Sequence, residues 1–135
     1  MKRTFVYATA ESPKLIPGRR DFLNFFDLGV ADASQGHFSV QVIKTIPGKA
    51  VRLTGWHYHG CESQFCYILK GWVDIAFEDG TSRRMHAGDS FYIPGGVRHN
   101  EMAISDDYEL LEVVVPPTMT TQNCDPPEAF KNSAA

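Results

Sequence analysis

The chain has 135 residues and a mass of 15.1 kDa, with 13 Lys and Arg against 16 Asp and Glu and a formal net charge of -3 at pH 7. This length fits one domain that buries roughly two-thirds of the surface its unfolded form would expose. The negative charge and the pI near 5.9 argue against a nucleic-acid-binding protein, which usually carries a basic patch. Hydrophobic residues at 43% and charged residues at 21% are typical of a globular domain rather than a disordered chain.

The beginning of the chain and the cysteines indicate an intracellular setting. Residues 1–17 lack the apolar stretch of a secretory signal, and no run approaches the ~20 apolar residues of a membrane span. The three cysteines, Cys61, Cys66 and Cys124, form no Cys-x-x-Cys pair, so we expect reduced thiols. We therefore predict a cytoplasmic protein with no nucleic-acid and no membrane partner.

Residues 1–35 are expected to form an N-terminal arm in front of the main β-structure. Within it the stretch 21–28, with the sequence DFLNFFDL, fits two structures equally well. Asp21 is a suitable N-cap for a helix, whereas phenylalanines are also common in strands. In either case the aromatic side chains are expected to cover an open end or edge of the β-structure.

Between about residue 36 and residue 116, apolar and polar residues alternate and turn residues interrupt them, a pattern typical of short β-strands. Asp79-Gly80 predicts a hairpin turn, because both central positions of a type I′ turn need a positive φ. About eight strands at this spacing predict a sandwich or a barrel. The predicted strands cover residues 37–46, 50–53, 56–59, 64–69, 72–78, 81–86, 90–93 and 108–115.

The segment after residue 116 is rich in Pro, Thr and Asn and has little apolar periodicity. We predict an irregular C-terminal tail over residues 117–135, which packs through Phe130. The chain then divides into an arm over residues 1–35, a barrel core over about residues 36–116, and this tail.

Three histidines form the strongest candidate site. His57 and His59 are separated by one residue, and side chains at positions i and i+2 of a strand lie on the same face, where two imidazoles can reach one metal ion. His99 follows a Pro-Gly-Gly turn, where a neighbouring strand could bring it alongside them. The other two histidines, His37 and His86, are interpreted as surface residues.

Two blocks of residues around these histidines resemble the two sequence motifs of the cupin family. The resemblance implies an all-β jelly-roll barrel of the double-stranded β-helix type, forming a single cupin domain over residues 1–135. It also implies a metal site made by His57, His59, Gln64 and His99, and a homodimer. The matching residues are Pro47, Gly48, His57, His59, Gln64 and Gly71 in the first block, and Gly88, Pro94, Gly96 and His99 in the second.

Gln64 stands where the family usually has a glutamate. Its side-chain oxygen is a neutral and weaker ligand, so a divalent ion held by it and three imidazoles keeps its full charge. Such a site favours an anionic, chelating substrate and lowers the pKa of bound water. In two alternatives, Gln64 lies outside the coordination sphere, which three histidines and water complete, or Glu62 serves as the ligand.

Three further residues are candidates with open interpretations. Arg52 and Glu112 lie in apolar stretches, where an inward-facing charge needs a partner or a function. If Glu112 faces inward it is a candidate general base near the metal, and if it faces outward a dimer-edge role fits as well. Tyr92 alternates with Phe91 and Ile93, so it either hydrogen-bonds a substrate or packs on the opposite face.

The predicted function is that of a metal-dependent enzyme acting on a small anionic or enolisable molecule, and a non-haem iron dioxygenase is the leading hypothesis. Three histidines leave positions open for both substrate and oxygen. Fe(II) is the expected metal, with Zn, Mn and Ni as alternatives. A non-redox lyase, isomerase or cyclase, and a non-catalytic metal-binding or ligand-binding module, remain alternatives, since fold alone does not decide function.

Overall fold

The computed structural model describes residues 4–51 and 54–131, which form two antiparallel β-sheets with little helix. Because alternating residues of their strands face the shared interior, the sheets enclose a jelly-roll barrel, which confirms the predicted all-β fold. The elements are β1 (Lys14–Ile16), β2 (Leu23–Asp27), α1 (Val30–Ala33), β3 (Ser39–Thr45), β4 (His57–Gly60), β5 (Ser63–Lys70), β6 (Trp72–Phe77), β7 (Ser82–His86), β8 (Ser90–Pro94), β9 (His99–Ile104), β10 (Glu109–Val115), β11 (Thr120–Asn123) and a single 3-10 turn (Glu128–Phe130).

Sheet order brings together strands that are far apart in the sequence. The six-stranded sheet has the order β1-β2-β3-β10-β5-β8, and the five-stranded sheet has the order β11-β4-β9-β6-β7. Strand β10 lies between β3 and β5, and β9 lies between β4 and β6. Among the described residues, no helix is long and apolar enough to cross a membrane.

The stretch that fitted either a helix or a strand contains strand β2. It pairs with both β1 and β3, and this pairing outweighs the local helix signal at Asp21. Phe22 and Phe25 are buried in the interior, so the aromatic residues close one side of the barrel as expected. The strand predicted over residues 50–53 does not form at Ala50 and Val51, and Arg52 lies outside the described residues.

The segment predicted to be an irregular tail contains strand β11, which pairs with β4 at the edge of the five-stranded sheet. All four residues of β11 are exposed, so the strand carries no apolar alternation that a sequence pattern could reveal. Further along, the ring of Phe130 packs against Trp56 with centroids 4.9 Å apart, as predicted for Phe130.

Strand β5 shows how the pleat separates the interior from the outer surface. Gln64, Cys66 and Ile68 face inward and are buried, whereas the residues between them are exposed. The apolar part of the interior lies next to the polar part that contains the histidines. Its buried members are Phe25, Ile43, Cys66, Ile68, Val73, Tyr108 and Leu110.

The outer face of β5 and β8 is apolar and exposed. Phe65 pairs directly with Tyr92 across the two strands, and Tyr67 and Leu69 continue the same face. Further exposed aromatic side chains lie in the N-terminal arm at Phe5 and Tyr7, beside the end of β2. From their exposed fractions, the three aromatic rings of β5 and β8 present on the order of 300 Å² per chain, about half of the ~600 Å² per partner of a small specific interface.

The homodimer stays a prediction, and a single lysine on this outer face would test it. A Tyr67→Lys variant should shift the protein towards the monomer, because the face would have to bury an unpaired charge. Light scattering after gel filtration measures the mass, with twice 15.1 kDa expected for the unmodified chain. Ser82→Lys, at an exposed position of β7, is the matched control and should leave the mass unchanged. A monomeric unmodified chain would contradict the prediction.

Candidate metal centre

Strands β4 and β9 bring the three histidines to one point in the interior. His57 and His59 face inward from β4, and His57 lies opposite His99 in the register between β4 and β9. Their ring centroids are 4.4 Å apart for His57 and His99, 5.0 Å for His59 and His99, and 5.1 Å for His57 and His59. One ring nitrogen from each histidine lies within 4.8 Å of the others, which is a spacing that one metal ion can bridge.

The turn at residues 94–96 sets the position of His99. Its backbone amides donate to β4 and to the turn that follows it: Gly96 donates to the His59 carbonyl and Gly95 to the Glu62 carbonyl, each at 3.0 Å. A Cβ on Gly95 would lie only 1.7 Å from the carbonyl oxygen of Cys61. Glycine is therefore required at position 95, where the turn packs directly against the backbone next to β4.

Backbone carbonyls fix the same tautomer on all three imidazoles. The Nδ1 atoms lie 2.8 Å from the Gly55 carbonyl for His57, 3.0 Å from the Val97 carbonyl for His99, and 3.3 Å from the Thr120 carbonyl for His59. Since a carbonyl only accepts a hydrogen bond, each Nδ1 carries the proton and donates it. Each Nε2 then keeps its lone pair, as a histidine ligand of a metal requires.

The interior also favours the uncharged form of His57 and His59. Burial, with a smaller contribution from the neighbouring His99 and His57, lowers the pKa of His59 to about 3. Burial likewise lowers the pKa of His57 below its ordinary value. At neutral pH the Nε2 atoms of His57 and His59 therefore carry no proton that a metal ion would have to displace.

Two buried polar atoms lack a hydrogen-bond partner within the part of the chain that the structure describes. They are Nε2 of His99 and Oε1 of Gln64. An unpaired buried polar atom costs free energy, and a divalent ion accepts electron pairs from both atom types. The residues present therefore fit a divalent metal ion.

Glu112 faces inward from β10, where it is 1% exposed and hydrogen-bonded on both oxygens. Nη2 of Arg19 lies 3.0 and 2.7 Å from its two oxygens, Nε2 of Gln64 lies 2.5 Å from Oε2, and Nε2 of Gln41 donates to Oε1. The sequence left the direction of this side chain open, and the structure places it inside. Because four donor contacts occupy it, the carboxylate has little capacity left to act as the general base considered for it.

A cavity of about 40 Å³ lies beside the histidines. Arg19 and Arg20, from the loop before β2, and Glu101, from β9, contribute charged side chains to its wall. Arg20 and the carboxylate of Glu101 have no hydrogen bond or ion pair with any side chain in the described ranges 4–51 and 54–131. The cavity thus holds one cationic and one anionic group available to a ligand.

Several candidates lie away from this cavity. Tyr92 is 61% exposed on the outer face, because Phe91 and Ile93 take the inward positions of β8. Glu62 is exposed and is not part of the histidine group. His37 and His86 are both exposed, as predicted.

The sequence interpretation missed three charged residues of the cavity. Glu101 follows His99 by two residues on β9, so extending the strand beyond His99 would have placed it on the same face. Arg19 and Arg20 lie in a loop with no periodic pattern, and only the tertiary fold brings them to the cavity.

The fold and this centre define a metal-binding jelly-roll protein. The family model described as a cupin domain matches residues 43–115, more than half of the chain, so the protein belongs to the cupin family. No curated protein sequence matches the chain.

Solved structures of similar fold share little sequence with the chain. KdgF from Halomonas sp. is 18% identical, with a TM-score of 0.67 over 85% of this chain and 96% of that one. The polyketide cyclase RemF from Streptomyces resistomycificus is 19% identical, with a TM-score of 0.65 over 97% and 90%. Oxalate decarboxylase from Lactobacillus farciminis is 18% identical, with a TM-score of 0.60 over 81% of this chain and 33% of that one.

Loss of one imidazole should abolish tight metal binding without unfolding the barrel. In a His99→Ala variant the centre keeps two histidines, and the apolar interior around Ile68 and Val73 is unchanged. Isothermal titration with Co²⁺ should show at least a 100-fold weaker affinity, while far-UV circular dichroism stays that of the unmodified chain. His86→Ala removes an exposed histidine and is the control. Equal Co²⁺ affinity in both variants would contradict the assignment.

Proposed function

We propose that the protein is a metal-dependent enzyme that acts on a small anionic, enolisable molecule through non-redox chemistry of the lyase, isomerase or cyclase type. The observation that most supports an anionic substrate is the combination, in one cavity wall, of the imidazoles of His57 and His59 with the guanidinium groups of Arg19 and Arg20. When bound, a divalent ion supplies a Lewis acid that polarises a substrate oxygen.

The charges around the cavity favour a negatively charged substrate. The imidazoles and the amide of Gln64 are neutral, so these side chains cancel none of the charge of a divalent ion. Glu112 is compensated by Arg19 at 2.7 Å, which leaves Arg20 and Glu101 as an opposed pair of free charges. The whole site therefore stays net positive when a divalent ion is bound.

The size of the cavity limits which part of a substrate it encloses. About 40 Å³ accommodates a carboxylate or an enolate group, whereas drug-sized ligands occupy pockets of ~300 Å³ or more. The side chain of Arg19 is 29% exposed, so the cavity wall reaches solvent on that side. A larger substrate would place its anionic group inside and extend outward past Arg19.

The charged side chains of the wall have separate tasks in this proposal. The guanidinium of Arg20 orients the anionic group of the substrate through charge-assisted hydrogen bonds. The carboxylate of Glu101 accepts a hydrogen bond from a hydroxyl or enol of the same molecule. Phe25, Phe91 and Leu110 form an apolar part of the wall that limits the access of water.

Oxalate is a suitable probe for the predicted anion site. Added to the Co²⁺-loaded protein, it should change the visible absorption spectrum as it binds. An Arg20→Gln variant should bind it at least tenfold more weakly, since a charged hydrogen bond contributes about 1.5–3 kcal/mol. Arg83→Gln, on exposed strand β7, is the matched control. Equal oxalate affinity in the two variants would contradict the proposed role of Arg20.

A non-haem iron dioxygenase is the second candidate. The neutral three-histidine group favours it, because three protein nitrogens leave room for substrate and dioxygen together. This alternative requires Fe(II), whereas Zn, Mn or Ni would also serve non-redox chemistry.

An oxygen electrode distinguishes the two candidates. Pentane-2,4-dione, a small β-diketone, is added to protein loaded with either Fe²⁺ or Zn²⁺. We expect no oxygen uptake with either ion, and turnover of enolisable acids that is equal in air and under nitrogen. Oxygen consumption that requires Fe²⁺ and is lost in His57→Ala would favour the dioxygenase instead.

A further inference from the structure

Two glutamines, Gln41 and Gln64, lie on either side of Glu112 and donate to it in the same way. Gln41 lies directly opposite Glu112 on β3, and Gln64 lies diagonally across from it on β5. Only Gln64 borders the cavity with the histidines. The chain therefore offers two equivalent amide contacts to one carboxylate, of which one is near the metal centre and one is not.

The hydrogen bond to Glu112 determines which way the amide of Gln64 points. An ionised carboxylate only accepts hydrogen bonds, so the atom 2.5 Å from its Oε2 is the NH₂ group of Gln64. The carbonyl oxygen Oε1 then has the opposite direction, away from Glu112. Oε1 of Gln64 and Nε2 of His99 are the two buried side-chain atoms that have no hydrogen-bond partner in the described structure.

We propose that Glu112 is a positioning residue, which holds Gln64 so that Oε1, and not the NH₂ group, is presented as the fourth protein donor of the metal centre. This inference rests on the metal site of the proposed function and deepens it. A glutamine with no such partner could turn by 180° and present its NH₂ group, which cannot donate an electron pair to a metal.

The same contact explains why position 64 holds an amide. A glutamate there would bring two carboxylates together at the 2.5 Å distance that now separates Nε2 and Oε2, inside a buried site. The negative charge lies instead at position 112, where Arg19 compensates it. The contact needs one glutamate and one glutamine at positions 64 and 112. Exchanging the two residues should therefore preserve it.

The test is a set of variants of the full chain, measured by Co²⁺ titration and by thermal unfolding of the metal-free protein. Glu112→Gln should weaken Co²⁺ binding about tenfold, the size of effect typical of partners that orient metal ligands. Gln64→Glu should lower the unfolding temperature of the metal-free protein. The double variant Gln64→Glu with Glu112→Gln should regain both the Co²⁺ affinity and most of the unfolding temperature.

Gln41→Leu is the matched control, because it also removes an amide donor to Glu112 but on the side away from the cavity. It should lower the unfolding temperature and leave Co²⁺ affinity within twofold of the unmodified chain. If Glu112→Gln does not fold, Glu112→Asp replaces it: the shorter carboxylate withdraws from Gln64, so Co²⁺ affinity should fall although position 64 still holds its amide.

The possible failures are distinguishable. Unchanged Co²⁺ affinity in Glu112→Gln, or a double variant worse than both single variants, would overturn the positioning role while leaving the metal site intact. No Co²⁺ binding by the unmodified chain would overturn the metal site itself, and the positioning role with it.

Discussion

Polar side chains buried between two sheets have to be hydrogen-bonded, because each unpaired group costs about 1–3 kcal/mol. One part of this barrel buries several at once, and their partners come from β3, β5, β10, β11 and three loops. Backbone carbonyls serve the histidines, and a glutamate with two amides and an arginine forms the remaining network. The buried polar residues are Ser39, Gln41, His57, His59, Gln64, His99 and Glu112.

The buried residues thus form two groups with different roles. The apolar residues around Ile68 and Val73, both at 0% exposure, supply the hydrophobic free energy that holds the sheets together. The polar residues add little net stability, and two of their atoms are left without a partner in the described structure. This division separates the residues that hold the sheets together from the polar groups available to a ligand.

The alternation of apolar and polar residues was sufficient to predict most of the barrel. It failed for strands whose residues do not alternate in this way. Strand β5 alternates strictly between buried and exposed residues, so its position and its inward face follow from the sequence. Strand β9 was not predicted, because His99 is its only fully buried residue and a register shift interrupts its pairing with β6. The histidine group could be predicted from spacing and family resemblance. Arg19 could not, because its contact with Glu112 spans 93 positions in the chain.

Strand β11 contacts one of the three histidines from the edge of the five-stranded sheet. Its Thr120 carbonyl and Thr121 hydroxyl both contact Nδ1 of His59, at 3.3 and 3.0 Å. An exposed edge strand thereby holds a metal-facing imidazole in its orientation. By thermodynamic linkage, whatever docks this strand more firmly strengthens metal affinity, and a bound ion protects the strand from fraying and proteolysis to the same degree. The pairing of β11 with β4 therefore contributes to the orientation of a candidate metal ligand.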